Sequence, residues 1–319
     1  MKLKNADVHI GPAGWSYEDW KGTVYPDPEP PRFRPPAFLA QYFNAIEINT
    51  TFYHQPNPGY CYRWLKDVAD RKDFLFTVKL WQGFTHEQEI AGVDARPTGE
   101  VEGPHSATER AGSPAEVRRG GRRRQRWTEH DVELFRSGIG PLVKAGRLGA
   151  LLMQFPWSFR HSPDSEDYLR ELVGKFSDMP LVLEVRHKGW LEHEAIEFIE
   201  SLGVGFCNID QPAFAQNLPL TTFGFGPVGY LRLHGRNYEN WFARGAGRDA
   251  RYDYLYKAAE LDEIQAAMEK IAERVERMFV IANNHYRGQA VATGIQLIER
   301  LTGEHIEPPG NTKELYGLT

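Results

Sequence analysis

The chain has 319 residues, of which 41% are hydrophobic and 13% aromatic, and its formal net charge is −5. This length exceeds one small domain but is ordinary for one large α/β barrel, whose core the apolar content can fill. The acidic balance argues against nucleic-acid binding by the molecule as a whole.

The first residues, MKLKNADVHIG, contain no apolar signal core. No run approaches the roughly 18 apolar residues of a membrane span. We therefore expect a cytoplasmic protein without membrane contact. Cys61 and Cys207 lie outside any metal-ligand spacing and beside apolar residues, so we predict two small core residues.

Eight apolar runs of about strand length recur along the chain, and they are rich in β-branched and aromatic residues. In chain order they are residues 7–15, 45–53, 74–80, 148–156, 180–187, 203–210, 228–235 and 277–285. Apolar residues at three- and four-residue steps predict helices at 35–43, 60–71, 165–176, 193–203, 260–277 and 288–303. Strands that alternate with helices indicate a parallel sheet. Eight of them favour a closed, parallel (β/α)8 TIM-like barrel, as a single domain over residues 1–319.

Residues 92–127 lack an apolar period and are rich in Gly, Pro, Glu and Arg. We predict a mobile loop insertion after the third strand. Its basic run from Arg118 to Arg126 is a candidate for nucleic-acid or phosphate binding. No aromatic residues interleave these arginines, so a solvated loop is the favoured interpretation. We predict a second irregular segment, a C-terminal tail, at residues 307–319.

Four of the apolar runs carry polar residues at alternate positions near their carboxyl ends. Successive strand side chains point to opposite faces, so each set shares one face. The sets are Glu47, Asn49 and Thr51; Thr77 and Lys79; Glu184 and Arg186; and Arg232 and His234. Because α/β barrels place their active sites at the carboxyl ends of the strands, the pattern predicts one site that several strands supply.

Six segments together resemble the YecE-like family, a TIM-barrel domain of unknown function. They are residues 11–26, 45–56, 76–86, 149–156, 183–190 and 230–236, and they include the strings EINTTFY and EVRHKGW. The resemblance implies the barrel fold and implies no reaction. The basic insertion does not belong to the family pattern.

The predicted site places three acids against three cations. We predict that Lys79, Arg186 and Arg232 bind an anionic substrate that carries a phosphate or carboxylate. The other predicted substrate-binding residues are Trp15, Asn49, Tyr53, Gln154, Trp190 and Asn283 or Asn284, and Asn208 also lies at the predicted barrel mouth. The catalytic candidates are Glu47, Glu184, Asp210 and His234, with a raised carboxylate pKa suited to acid–base hydrolysis or lyase chemistry without a cofactor.

Several alternatives stay open. The charges are also compatible with a self-satisfied network, with Glu47 on Lys79 and Glu184 on Arg186. The acids and His234 resemble the ligand sets of metal-dependent phosphodiesterases and nucleases, although the neighbouring cations argue against a metal. Schiff-base chemistry by Lys79 is disfavoured, because the acids would keep this lysine charged. A different class is a non-catalytic protein that binds a ligand or nucleic acid.

Overall fold

The computed structural model describes residues 1–86, 88–89, 116–119, 122–125, 127–241 and 248–318. Its strands are β1 (Lys2–Leu3), β2 (Ala6–Pro12), β3 (Ala45–Ile48), β4 (Leu75–Lys79), β5 (Gln88–Glu89), β6 (Glu116–Arg119), β7 (Arg122–Gln125), β8 (Leu148–Gln154), β9 (Leu181–Glu184), β10 (Gly205–Asp210), β11 (Val228–Leu233) and β12 (Arg277–Ala282). Its helices are α1 (Pro35–Leu39), α2 (Thr50–Tyr53), α3 (Pro58–Asp67), α4 (Gln82–Thr85), α5 (Glu129–Lys144), α6 (Pro163–Lys175), α7 (His193–Ser201), α8 (Ala258–Ala272), α9 (Gln289–Thr302) and α10 (Thr312–Tyr316).

A curled sheet of nine strands organises this mixed α/β fold, in the order β1-β2-β12-β11-β10-β9-β8-β4-β3. The short β1 is antiparallel to β2, and the other neighbours pair in parallel. Each predicted apolar run contains one parallel strand. At the ends of the order, Ala13 and Glu47 form a parallel bridge, and the Gly14 N–H donates to the Glu47 carbonyl at 2.9 Å.

The two faces of the sheet differ in what they bury. The concave face carries a compact cluster of apolar side chains: Ala13, Ala45, Ala150, Leu152, Val182, Cys207, Ile209, Val228, Tyr230, Phe279 and Ile281. The opposite face packs against the helices through a larger cluster that includes Ile46, Val78 and Leu183. This alternation is the period of two expected for strands. Polar side chains on the concave face therefore collect beyond its apolar cluster, at the carboxyl ends.

The predicted helices are present, with two differences in the elements. Helix α5 was not predicted, although Thr128 and Asp131 form a capping box at its start. Residues 50–53 were predicted to continue a strand and instead form α2, where the Thr51 hydroxyl donates to the Lys79 carbonyl at 2.7 Å. That bond holds the end of β3 against the end of β4.

The predicted insertion and tail both contain secondary structure that the sequence did not predict. Strands β5, β7 and β6 form a separate antiparallel sheet. Residues 90–115 and the side chains from Arg118 to Arg126 lie outside the described residues, so the predicted mobility and nucleic-acid binding stay predictions. In the tail, helix α10 buries Thr312, and the Tyr316 hydroxyl donates to the Arg287 carbonyl at 2.6 Å.

Within the ranges that the structure describes, no helix is both long and apolar enough to cross a membrane. Both cysteines are buried and free, as predicted for core residues. Burial raises the pKa of the Cys61 thiol to about 12, which makes it a poor nucleophile.

Candidate functional site

Arg232, on β11, lies at the centre of a buried network on the concave face. It is 1% exposed, and its Nε and Nη2 donate to the two carboxylate oxygens of Glu47 at 3.1 and 2.7 Å. Its Nη1 donates to Glu184 at 2.8 Å and to the Gln154 amide oxygen at 3.2 Å. One guanidinium therefore joins residues from β3, β8 and β9, using the planar fork that suits bidentate pairing.

Each carboxylate has a further partner. Glu47 also accepts from the Tyr230 hydroxyl at 2.9 Å, and that hydroxyl accepts from Thr77 at 2.8 Å. Glu184 accepts from the Nε and Nη2 of Arg186 at 3.0 and 2.8 Å. Tyr230 was not predicted as a site residue, although Tyr230 lies two residues before Arg232 and therefore on the same face of β11.

Glu184 is held as an anion. Burial raises its pKa, but the Arg232 and Arg186 guanidiniums outweigh burial and hold the pKa well below its usual range. The prediction of a raised carboxylate pKa is therefore wrong for Glu184, because two cations touch it directly. Glu184 therefore acts as a fixed negative charge that orients Arg186.

Lys79, on β4, differs from the other cations. It is 8% exposed, and among the described residues its Nζ has no hydrogen-bond or ion-pair partner. The Nζ instead lies 4.1 Å from the centre of the Phe52 ring. Burial and then the Arg232 charge lower the pKa of Lys79 to about 7, against the opposing attraction of Glu47 and Glu184. The predicted Glu47–Lys79 pair is not formed, because Arg232 occupies both oxygens of Glu47.

His234 follows β11 and is 1% exposed. The Asn283 amide nitrogen lies 2.8 Å from its Nδ1, and an amide nitrogen only donates, so the imidazole proton is on Nε2. That Nε2 is buried and has no hydrogen-bond partner among the described residues. Burial and then the Arg232 charge lower the pKa of His234 well below its usual value, so the ring is neutral. His234 thus presents one N–H donor that awaits an acceptor.

Asp210 and Asn208 lie on the other face of β10, which corrects their predicted place at the site. Between and beside them, Cys207 and Ile209 belong to the concave cluster. Asp210 accepts from Arg236 and from the Tyr256 hydroxyl, the latter at 2.6 Å. Asp210 therefore ties strand ends to the helix layer, away from Glu184 and His234.

Two further predicted residues have structural partners. Of the two neighbouring asparagines, Asn283 contacts His234, whereas Asn284 donates to the Tyr254 carbonyl and the Thr293 hydroxyl. Trp190 is fully buried, and its indole donates to the Phe159 carbonyl at 2.8 Å. Asn284 and Trp190 therefore hold loops in place and do not face the site.

The remaining predicted residues are Asn49, Tyr53 and Trp15. The Asn49 amide oxygen is buried without a partner among the described residues, so it is a free acceptor there. Tyr53 is 52% exposed and packs edge-on against Phe52. Trp15 packs edge-on against Trp64 and makes no contact with the Arg232 network that the structure records.

A cleft of about 540 Å³ adjoins the network and shares Arg186 with it. Its other lining residues include the aromatic side chains Trp157, Phe214, Trp241 and Tyr252, together with Arg251. The rings of Trp241 and Tyr252 lie 6.3 and 6.1 Å from His234, centre to centre. This cleft was not predicted, because its lining residues come from loops that share no periodic sequence pattern.

The described residues contain no group of three or more His, Cys, Asp or Glu side chains placed to hold a metal ion. The ligand set considered from sequence needed Asp210 beside Glu184 and His234. Asp210 is instead paired on the opposite face of β10. The arrangement that remains is suited to binding an anion and moving a proton.

Known proteins are similar to this chain in both sequence and structure. The sequence model of the family described as "Protein of unknown function DUF72" matches residues 9–314. The chain is 24% identical over 307 residues to the UPF0759 protein YunF of Bacillus subtilis (strain 168), covering 93% of this chain and 96% of that protein. It is similar to the crystal structure of a DUF72 family protein from Thermotoga maritima, with 29% identity, a TM-score of 0.68, and coverage of 92% of this chain and 98% of that chain. A DUF72 family protein from Enterococcus faecalis shares the fold at 19% identity, with a TM-score of 0.73 over 94% of this chain and 97% of that chain.

Proposed function

We propose that this chain, which belongs to the DUF72 family of proteins of unknown function, is an enzyme that binds a small anionic substrate at the carboxyl ends of its parallel strands. The reaction we propose is acid–base chemistry of the hydrolase or lyase type. The resemblance noted in the sequence is likewise to a domain of unknown function, so neither names a reaction.

The observation that carries the proposal is a set of polar groups that lack partners among the described residues. His234 Nε2 is buried without a hydrogen-bond partner, and Lys79, 8% exposed, forms no hydrogen bond or ion pair through its Nζ with any described residue. A buried polar group without a partner costs about 1–3 kcal/mol, more when charged. An oxyanion at the mouth would satisfy both donors at once.

The proposed roles follow from the partners that each residue already has. Arg186 binds the anion, because its Nη1 has no partner among the described residues and its side chain is 25% exposed. Arg232 is saturated by Glu47, Glu184 and Gln154, so it positions the carboxylates and does not bind substrate. Lys79 accepts the proton, since a base with a pKa of about 7 is well matched to neutral pH.

We also propose that the eight parallel strands close into a TIM-like barrel. The bridge between Ala13 and Glu47 supports this closure, and so does the absence of room for a side chain at Gly11 beside Ala45. A closed barrel would surround the Arg232 network with strands on every side, which suits a water-excluding site.

Titration calorimetry with sulfate tests the anion site, because the charge of sulfate does not change near neutral pH. Arg186→Gln should weaken sulfate binding by about tenfold or more, the worth of one charge-assisted hydrogen bond. The affinity of the unsubstituted protein should fall as the pH rises through about 7, when Lys79 loses its charge. In Lys79→Met this pH dependence should be absent.

Arg170→Gln is the matched control, because Arg170 is exposed and pairs within α6 with Glu166 and Asp167. Its sulfate affinity should be unchanged. Equal sulfate affinity in Arg186→Gln and the unsubstituted protein would reject the anion site. For catalysis, loss of turnover in Lys79→Met during a screen of anionic substrates is expected, and full retention would exclude Lys79 as the base.

A further inference from the structure

We propose that Lys79 is a nucleophile that forms an imine with a carbonyl substrate bearing a carboxylate or phosphate group. This inference rests on the proposed anion site and narrows its substrate class. It reverses the preference drawn from sequence, which held that neighbouring acids would keep Lys79 charged. Those acids are occupied by guanidiniums.

The surroundings of Lys79 favour a free amine. No acceptor among the described residues contacts its Nζ, which lies over the Phe52 ring, 4.1 Å from the ring centre. A cation–π contact recovers less free energy than burying an ammonium costs. The hydrogen bond from Thr51 to the Lys79 carbonyl fixes the backbone from which this side chain extends.

Lys79 is also at the accessible edge of the network. It keeps 8% of its surface, whereas Glu47 and Glu184 keep none. Lys79 is therefore accessible from solvent, whereas neither carboxylate is. A neutral amine in such a position is the arrangement that lysine nucleophiles use.

Two further groups match the other parts of the substrate. The unpaired Nε2–H of His234 is a donor for a carbonyl oxygen, and hydrogen bonding there makes the carbonyl carbon more electrophilic. The free Nη1 of Arg186, oriented by Glu184, is a donor for a carboxylate or phosphate oxygen. Lys79 ends β4, Arg186 follows β9 and His234 follows β11, so the three lie at the carboxyl ends of parallel strands in one sheet.

The step balances without a redox partner. The Lys79 nitrogen attacks the carbonyl carbon, and a C–N bond forms as the C=O π bond breaks. The two amine protons are transferred to the former carbonyl oxygen, which leaves as water. The product is an imine between Nζ and the substrate carbon. A proton from water then converts the imine to a positively charged iminium, which draws electrons from the adjacent carbon, as lyase chemistry requires.

Borohydride trapping tests the proposal on the whole protein. The protein is incubated with pyruvate, or with dihydroxyacetone phosphate, and sodium borohydride then reduces any imine to a stable secondary amine. Intact mass spectrometry should show one adduct, and peptide mapping should place it on Lys79. The comparison of the two probes decides whether the site takes a carboxylate or a phosphate. Trapping should increase as the pH rises through about 7.

Lys79→Arg should remove the adduct, whereas Lys144→Arg, an exposed lysine at the end of α5, should keep it. Arg186→Gln should lower the labelling by pyruvate at least severalfold, while labelling of Lys79 by uncharged acetaldehyde persists. Labelling spread over surface lysines, or no adduct on Lys79 with either probe, overturns the imine. If sulfate binding still depends on Arg186 in that case, the proposed function stands and only the imine is rejected. If Arg186-dependent sulfate binding is also absent, both are rejected.

Discussion

At the scale of single residues, the site depends on which cation meets which carboxylate. Arg232 takes both oxygens of Glu47 and one of Glu184, and Arg186 takes the other oxygen of Glu184. Two carboxylates and two guanidiniums thereby balance each other. Lys79 is left without a counter-ion among the described residues, and burial followed by the Arg232 charge lowers its pKa to about 7.

The central ion pairs lead to a prediction about stability. Arg232→Met leaves Glu47 and Glu184 short of their shared partner, and removing one member of a buried pair costs about 3–5 kcal/mol. Urea denaturation should show a loss of that size in the free energy of unfolding. Arg170→Met, on the surface, should cost less than about 1 kcal/mol.

A second substitution sharpens this test. Adding Glu47→Gln to Arg232→Met removes one of the unpaired charges, so part of the lost stability should return. If Arg232→Met costs no more than the surface control, the guanidinium does not hold the network together.

The depressed pKa of Lys79 predicts how stability varies with pH. Between about 7 and its ordinary value of 10.5, the unfolded chain binds a proton at Lys79 and the folded chain does not. Stability therefore rises with pH across that window, by at most about 1.4 kcal/mol per pH unit from this group. Below about pH 7, both states are protonated and the contribution of Lys79 no longer changes.

Urea unfolding of the protein and of Lys79→Met over this pH range measures the effect. The difference in the free energy of unfolding, Lys79→Met minus unsubstituted, should be largest near pH 7 and shrink as the pH rises. A difference that does not vary with pH would mean that Lys79 titrates alike in the folded and unfolded chain.

Among the elements, β2 and β3 come close together at Gly11. A Cβ built on Gly11 would lie 1.7 Å from the Ala45 carbonyl oxygen, which is part of the backbone of β3. Backbone atoms cannot rotate away as a flexible side chain can, so glycine is required here by proximity. The same approach positions Glu47, the next inward residue of β3 after Ala45, against the Tyr230 hydroxyl and Arg232.

Gly11→Ala should therefore force β2 and β3 apart and destabilise the fold by about 2 kcal/mol or more, as steric overpacking does. Gly140→Ala is the control, because a Cβ at this position within α5 meets nothing within 4 Å. Alanine there should stabilise the protein by about 0.5–1 kcal/mol. Thermal denaturation followed by circular dichroism compares the two, and equal melting temperatures would contradict the close approach.

At the scale of the whole molecule, the pairing around the sheet is uneven. Strand β12 pairs with β2 along its whole length, Arg277–Ala282, and with β11 over the same residues. Strands β2 and β3 instead meet at one bridge in the described part of the chain, between Ala13 and Glu47. Fewer hydrogen bonds cross this junction, so its opening should need less free energy than the opening of the other strand pairs.

Hydrogen exchange followed by mass spectrometry checks this expectation. The amide of Gly14, which donates across the junction to Glu47, should exchange faster than the amides of β12. Bound sulfate should slow exchange at the ends of β4 and β9 if the anion sits between Lys79 and Arg186. Equal protection at the junction and in β12 would show that the sheet closes as firmly as it pairs elsewhere.

Sequence patterns alone predict the parallel strands and the face of the sheet on which most of the polar residues lie. Period-two alternation is a local property, so Glu47, Lys79, Glu184, Arg186 and Arg232 were assigned to the concave face from their spacing alone. The family resemblance pointed the same way for the fold. Helix α5 could also be predicted from the sequence, because Thr128 and Asp131 form its capping box.

Which charged residues pair with one another depends on the tertiary structure. Strand β10 carries alternate polar and apolar residues, and the sequence does not reveal which of its faces is concave, so Asp210 was misplaced. The pairing of Arg232 with Glu47 joins strands 185 positions apart in the chain. Such contacts depend on strand order and curvature, which no local period encodes. Strand order and curvature also leave Lys79 without an ion-pair partner among the described residues. The proposed chemistry depends on this unpaired amine.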